Sequence, residues 1–128
     1  MRARSYKPRK VNVVTLGCAK NIFDSEVMMA QLRANDFEVE HEAKQDDSGI
    51  VIVNTCGFIE AAKQESIDTI FRFAQAKAEG QLERVYVTGC LSERYKEELA
   101  DGIPEVDDWF GTRDLPRLLK TLRADYKK

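Results

Sequence analysis

Ile50-Val51-Ile52-Val53-Asn54-Thr55-Cys56-Gly57 is the stretch that decides the fold. Four consecutive apolar, β-branched residues without polar alternation read as a strand buried on both faces, and such burial belongs to parallel sheets covered by helices. Two other runs end in the same way: Val11-Asn12-Val13-Val14-Thr15-Leu16-Gly17-Cys18 and Val85-Tyr86-Val87-Thr88-Gly89-Cys90. Between them lie stretches of helical periodicity, so the chain reads as repeated βα units.

Working outward from that strand, the longest helix is expected over 59–78, with Ile59, Ala62, Ile67, Ile70, Phe71 and Ala74 on its buried stripe and Gly80 as its stop. Upstream, Val11 to Leu16 is the first strand. Asn21 is expected to cap a helix to about Ala34, with Asp24 and Glu26 in its first turn and Met28, Met29 and Leu32 facing inward. Phe37, Val39 and His41 alternate with glutamates, the pattern of a half-exposed edge strand whose charge discourages aggregation. Downstream, Val85 to Thr88 is the fourth strand. Ser92 caps a charged helix to about Ala100, Val106 to Phe110 is a short fifth strand, and Asp114 opens a last helix carrying Leu115, Leu118, Leu119 and Leu122. The expectation is one α/β domain, doubly wound around a parallel sheet of about five strands in the order 2-1-3-4-5, with helices on both faces.

A chain of 128 residues, 43% hydrophobic and 33% charged, supports one core without a disulfide staple. The net charge of -2 argues against a domain-wide basic face for nucleic acid. The basic residues at both ends are read as solvated arms. Three cysteines, an odd number, fit a reducing compartment, and the apolar segment before Cys18 is too short and too interrupted for an export signal. A cytoplasmic location is therefore expected, and no run approaches the length of a membrane span.

The order 2-1-3-4-5 makes the strands before Cys18, Cys56 and Cys90 neighbours, with all three thiols at the carboxyl edge where open α/β sheets collect ligands. A glycine beside each cysteine (Gly17, Gly57, Gly89) lets the backbone turn sharply and approach a bulky group. Helices starting just after each cysteine favour thiolate over thiol. A structural zinc site wants four ligands, usually in Cys-x-x-Cys pairs, and this chain has none; His41, its only histidine, is expected to be a surface residue. A [4Fe–4S] cluster held by three thiolates, with one iron left open, fits better. Asp24 and Glu26 are a weaker candidate pair of catalytic carboxylates, read as helix-terminus stabilisers. Arg94 and Arg113 are candidates for steering an anionic partner. A doubly wound nucleotide- or partner-binding module with incidental cysteines is the alternative.

Thr15-Leu16-Gly17-Cys18-Ala19-Lys20-Asn21 with Asp24-Ser25-Glu26, then Val53-Asn54-Thr55-Cys56-Gly57-Phe58-Ile59, then Val87-Thr88-Gly89-Cys90-Leu91-Ser92-Glu93-Arg94-Tyr95, resembles the amino-terminal domain of radical-SAM methylthiotransferases. The first motif looks like the branch that methylthiolates a ribosomal protein, whereas tRNA-modifying relatives tend to show Gly-Cys-Gln-Met-Asn. The resemblance implies that Cys18, Cys56 and Cys90 hold an auxiliary [4Fe–4S] cluster whose open iron binds the sulfur to be inserted, with Gly17, Asn21, Asn54, Gly57 and Gly89 supporting the loops. It further implies a second [4Fe–4S] cluster and S-adenosylmethionine in a following barrel domain, and a target aspartate β-carbon in a small-subunit ribosomal protein, with tRNA as the alternative partner. The radical cluster's Cys-x-x-x-Cys-x-x-Cys is absent from this sequence. The expected organisation is a flexible basic arm (1–10), a cluster-binding domain (11–124) and a tail (125–128). That domain depends on the remaining domains of its enzyme and is inactive alone.

Overall fold

Five parallel strands form one sheet in the expected order 2-1-3-4-5. A computed structural model describes residues 7–16, 19–34, 37–41, 48–55, 60–80, 82–89, 97, 99, 101–111 and 115–126. The strands are β1 (Lys7–Thr15), β2 (Glu38–His41), β3 (Ser48–Thr55), β4 (Arg84–Gly89) and β5 (Asp108–Trp109). The helices are α1 (Ala19–Ala34), α2 (Glu60–Ala78) and α3 (Leu115–Tyr126). Glu97, Leu99, Asp101 and Gly102 are also helical, whereas Ser92 and Asp114, the expected caps, lie outside the described residues.

The unbroken run of β3 is buried on both sides. Ile50 and Ile52 join Val11, Val13 and Tyr86 in a core closed by Met28, Met29 and Leu32 of α1 and by Leu118 and Leu122 of α3. Val51 and Val53 join Val14, Val85 and Val87 in a second core closed by Ile70, Phe73 and Ala74 of α2. The two faces thus alternate residue by residue along each central strand.

Several boundaries differ from those expected. The first strand begins at Lys7, inside the stretch expected as an arm, and Lys10 is buried because its ammonium meets the carboxylates of Glu40 and, at 3.9 Å, Glu38 on β2. Charges read as a guard on the edge strand therefore also neutralise a buried cation. The β1–β3 register breaks between Lys7 and Val11, the interval containing Pro8, which has no amide hydrogen to give a ladder. Helix α1 starts at Ala19, so Asn21 lies within its first turn instead of capping it, and the first turn carries no acid. Ala19 and Lys20 are good helix formers and let the helix begin sooner. On α2 the buried stripe is rotated: Phe73 is buried, while Phe71 is 50% exposed. The small side chains of Ser66 and Thr69 lie on the buried face with Ile70, which brings the helix down on that side.

Strand β5 is shorter than the expected run from Val106. Asp107 accepts from the Val85 amide (2.8 Å) and pairs with Lys77 (2.8 Å), tying the end of α2 to the sheet. The last helix runs to Tyr126, past the expected domain end at 124, and Arg117 anchors its start by donating to the Trp109 carbonyl (2.8 Å) and lying over the Phe110 ring. No helix among the described residues is long and apolar enough to cross a membrane.

The rotated stripe on α2 gives a direct test. Phe73→Ala is expected to cost about 3–5 kcal/mol in urea unfolding and Phe71→Ala less than about 0.5 kcal/mol; equal costs would contradict the helix rotation.

Candidate functional site

The strand order reverses at the β1–β3 boundary. From β1 the chain crosses through α1 to β2 on one side, and from β3 it crosses through α2 to β4 on the other. Because the two crossover helices cover opposite faces, the carboxyl ends of β1 and β3 border a crevice that neither helix fills.

The strands end level there. Thr15 pairs with Asn54, Asn54 with Thr88, and Thr55 with Gly89; just beyond β1, the Leu16 amide donates to the Asn54 carbonyl at 2.9 Å. Cys56 and Cys90 are the next residues in sequence after Thr55 and Gly89, and Cys18 is the second after Leu16. All three cysteines lie outside the described residues, as do Gly17, Gly57, Arg94, Arg113 and the side chain of Asn21. Of the residues expected around the site, Asn54 and Gly89 are described. Among the described residues no group of three or more His, Cys, Asp or Glu can hold a metal ion.

Gly89 adopts φ 101°, a left-handed conformation in which a side chain is strained. A Cβ there would stand 2.4 Å from the Thr55 carbonyl oxygen and 2.8 Å from Asn54 Oδ1. Glycine is thus required at the end of β4 by the neighbouring strand itself, a reason different from the expected approach to a bulky bound group.

Beneath the level ends runs a chain of hydrogen bonds that the sequence reading missed. Asn54 Nδ2 donates to Ser25 Oγ at 3.0 Å, Ser25 Oγ lies 2.7 Å from Thr15 Oγ1, and Thr15 Oγ1 lies 2.8 Å from His41 Nε2. Thr55 Oγ1 donates to the Thr88 carbonyl at 2.7 Å, and Thr88 Oγ1 donates to the Gly111 carbonyl at 3.3 Å. Ser25 and Asn54 are buried and His41 is exposed, as expected of an edge-strand histidine. Of the acids on this helix, Glu26 is exposed and Asp24 lines a cavity, and the buried residue between them is the serine. Periodicity was the available signal, because Ser25 shares a helix face with Met28, Met29 and Leu32.

The cavity, about 200 Å³, lies between α1, α3 and the ends of β3 and β4. Phe23, Val27, Met28 and Leu118 form its apolar walls, and Asn54, Thr88 and Gly89 its sheet side. Phe23 is 64% exposed, and Ile22 and Val27 beside it are also exposed, so α1 presents apolar side chains near the crevice.

A model of the uncharacterized protein family UPF0004 matches residues 10–111. The chain belongs to that family. It is 54% identical over 127 residues to the ribosomal protein uS12 methylthiotransferase RimO of Cytophaga hutchinsonii, covering 99% of this chain and 29% of the relative. It is 55% identical over 127 residues to the RimO protein of Christiangramia forsetii (99% of this chain, 28% of the relative) and 57% identical over 128 residues to that of Flavobacterium johnsoniae (99% and 29%). The chain thus spans less than a third of the length of these relatives, whose names agree with the methylthiotransferase resemblance carried by the cysteine motifs.

The steric demand at Gly89 predicts that Gly89→Ala lowers stability by about 3 kcal/mol, since it combines left-handed strain with a backbone clash. Gly80 also has positive φ, 80°, but nothing within 4 Å of an added Cβ, so Gly80→Ala is expected to cost only about 1 kcal/mol. Chemical denaturation of the two variants separates conformational strain from collision.

Proposed function

We propose that this chain is the amino-terminal, cluster-bearing domain of a radical-SAM methylthiotransferase, a transferase that modifies ribosomal protein uS12 at an aspartate β-carbon. The observation that carries the reading is the level ending of β1, β3 and β4 at the strand-order reversal, each strand leading into one of the three cysteines. Covalent geometry supports convergence. Residues one step beyond a registered pair on adjacent parallel strands have Cα atoms within roughly 12 Å of each other, close enough for two thiolates to share one cluster. The donor set fits an iron–sulfur group, since thiolate sulfur is its usual ligand.

In this reading Cys18, Cys56 and Cys90 hold an auxiliary [4Fe–4S] cluster. With three protein thiolates, one iron site stays open to a sulfur ligand, and that is the chemistry the group supplies. Gly17, Gly57 and Gly89 let the backbone pass close to the cluster, and Asn21 and Asn54 brace the loops that carry the ligands. The start of α1, immediately after Cys18, places a helix N-terminus where it favours the anionic thiolate. Arg94 and Arg113 steer an anionic partner. The full-length enzyme supplies a second cluster and S-adenosylmethionine from its other domains, and it acts in the cytoplasm. The relatives' names favour uS12 over tRNA as the substrate.

Two measurements test this. After anaerobic reconstitution with iron and sulfide, Cys18→Ala, Cys56→Ala and Cys90→Ala are each expected to lose stable iron, while His41→Ala keeps it; near-wild-type iron in all three cysteine variants overturns the ligand assignment. In the full-length enzyme, Cys56→Ala is expected to form 5′-deoxyadenosine largely as before and to make no methylthiolated uS12, read by mass spectrometry. Normal product from that variant removes the assigned role, and product on tRNA overturns the substrate alone.

A further inference from the structure

The three strands that end together are braced by one hydroxyl. Ser25 sits on α1 at 0% exposure, beneath the level ends of β1 and β3. Its Oγ accepts from Asn54 Nδ2 of β3 (3.0 Å) and shares a proton with Thr15 Oγ1 of β1 (2.7 Å). The other end of the same carboxamide faces β4, where Asn54 Oδ1 would stand 2.8 Å from a Cβ on Gly89. The Asn54 side chain therefore stretches from the helix to the last residue of β4, and Ser25 fixes one end of it.

We propose that Ser25 is a positioning residue for the cysteine site: by locking the Asn54 carboxamide against Gly89 and holding Thr15, it sets the directions in which the chain leaves β1, β3 and β4 toward Cys18, Cys56 and Cys90. The proposal rests on the reading of those cysteines as cluster ligands. A hydroxyl has one proton and two lone pairs. Asn54 donates to Ser25, and when His41 Nε2 carries no proton the donors run in one direction throughout, Ser25 to Thr15 and Thr15 to His41. Hydrogen bonds aligned in this way polarise one another. The chain starts two residues before Cys56 and ends at an exposed ring on the edge strand, so the bracing reaches across the sheet from β3 to β2.

Deleting the hydroxyl leaves a buried amide donor without this partner and releases the carboxamide from α1. Ser25→Ala is tested on the 128-residue chain loaded anaerobically with iron and sulfide, with cluster release followed under an iron chelator and the reduced cluster recorded by EPR. Release is expected to be roughly five- to tenfold faster than in the wild type, with an altered EPR spectrum; Ser25→Thr, which keeps the hydroxyl, is expected to restore both. If Ser25→Ala fails to give a cooperative thermal transition, Thr15→Val keeps the side-chain shape and removes the hydroxyl from the β1 side, and it is expected to alter the same spectrum. Wild-type release and wild-type EPR in the folded serine or threonine variant overturn the positioning role while leaving the cysteine ligands standing. A wild-type chain that takes up no iron overturns both readings together.

Discussion

Parallel pairing of β1, β3 and β4 is the constraint from which the rest of the architecture follows. A tight turn cannot join parallel neighbours, so each connection must cross over through a helix, and right-handed crossovers leaving a central pair in opposite directions place those helices on opposite faces. Both faces of the central strands are then buried, which the stretches 11–14, 50–53 and 85–87, apolar except for Asn12, satisfy. The same constraint points every strand in one direction, so whatever follows the strands collects at one edge. The level edge is a by-product of the winding: Thr15, Asn54 and Thr88 come side by side at the ends of three strands without any of them being near in sequence.

The polar groups at that edge show how the fold meets the opposing demand. Strand ends leave backbone groups outside the ladder, and buried polar atoms need partners. Here side chains supply them, Thr55 reaching the Thr88 carbonyl of β4, Thr88 the Gly111 carbonyl just past β5, and Ser25 linking helix to sheet. The residues that finish the strands are therefore mostly small and polar, where those before them are apolar and branched. That change of character along a single strand marks where packing gives way to chemistry.

Much of this was legible in the sequence, for reasons that can be named. The burial of β3 and the parallel pairing follow from β-branched runs separated by helical lengths, whereas the strand order was an expectation about the fold that the structure bears out. The family was legible from the three motifs around the cysteines. Helix rotation was harder: Ile67, Ile70, Phe71 and Ala74 (steps of 3, 1 and 3) and Ser66, Ile70, Phe73 and Ala74 (steps of 4, 3 and 1) both fit helical periodicity, and only the approach of α2 to the sheet chooses between Phe71 and Phe73. Lys10 was misplaced because burial of a lysine depends on Glu38 and Glu40, carboxylates on a strand that pairs with its own only after folding. Ser25 went unread for a similar reason, since its partners Thr15 and Asn54 lie on two different strands.

The sheet order also fixes a sequence of events during synthesis. The ribosome makes β1 first, yet β1 belongs in the interior of the sheet, and the only partner available to it before β3 appears is β2 at the edge. Until residues 48–55 emerge, one side of β1 is an open row of amides and carbonyls flanked by Val11, Val13 and Val14, the kind of edge that recruits other chains. The Lys10 contacts with Glu38 and Glu40 act on the opposite side of β1, holding the early βαβ unit together while its vacant edge waits. A nascent chain stalled before β3 thus leaves this edge of β1 open, and one stalled before β4 passes the same open edge on to β3.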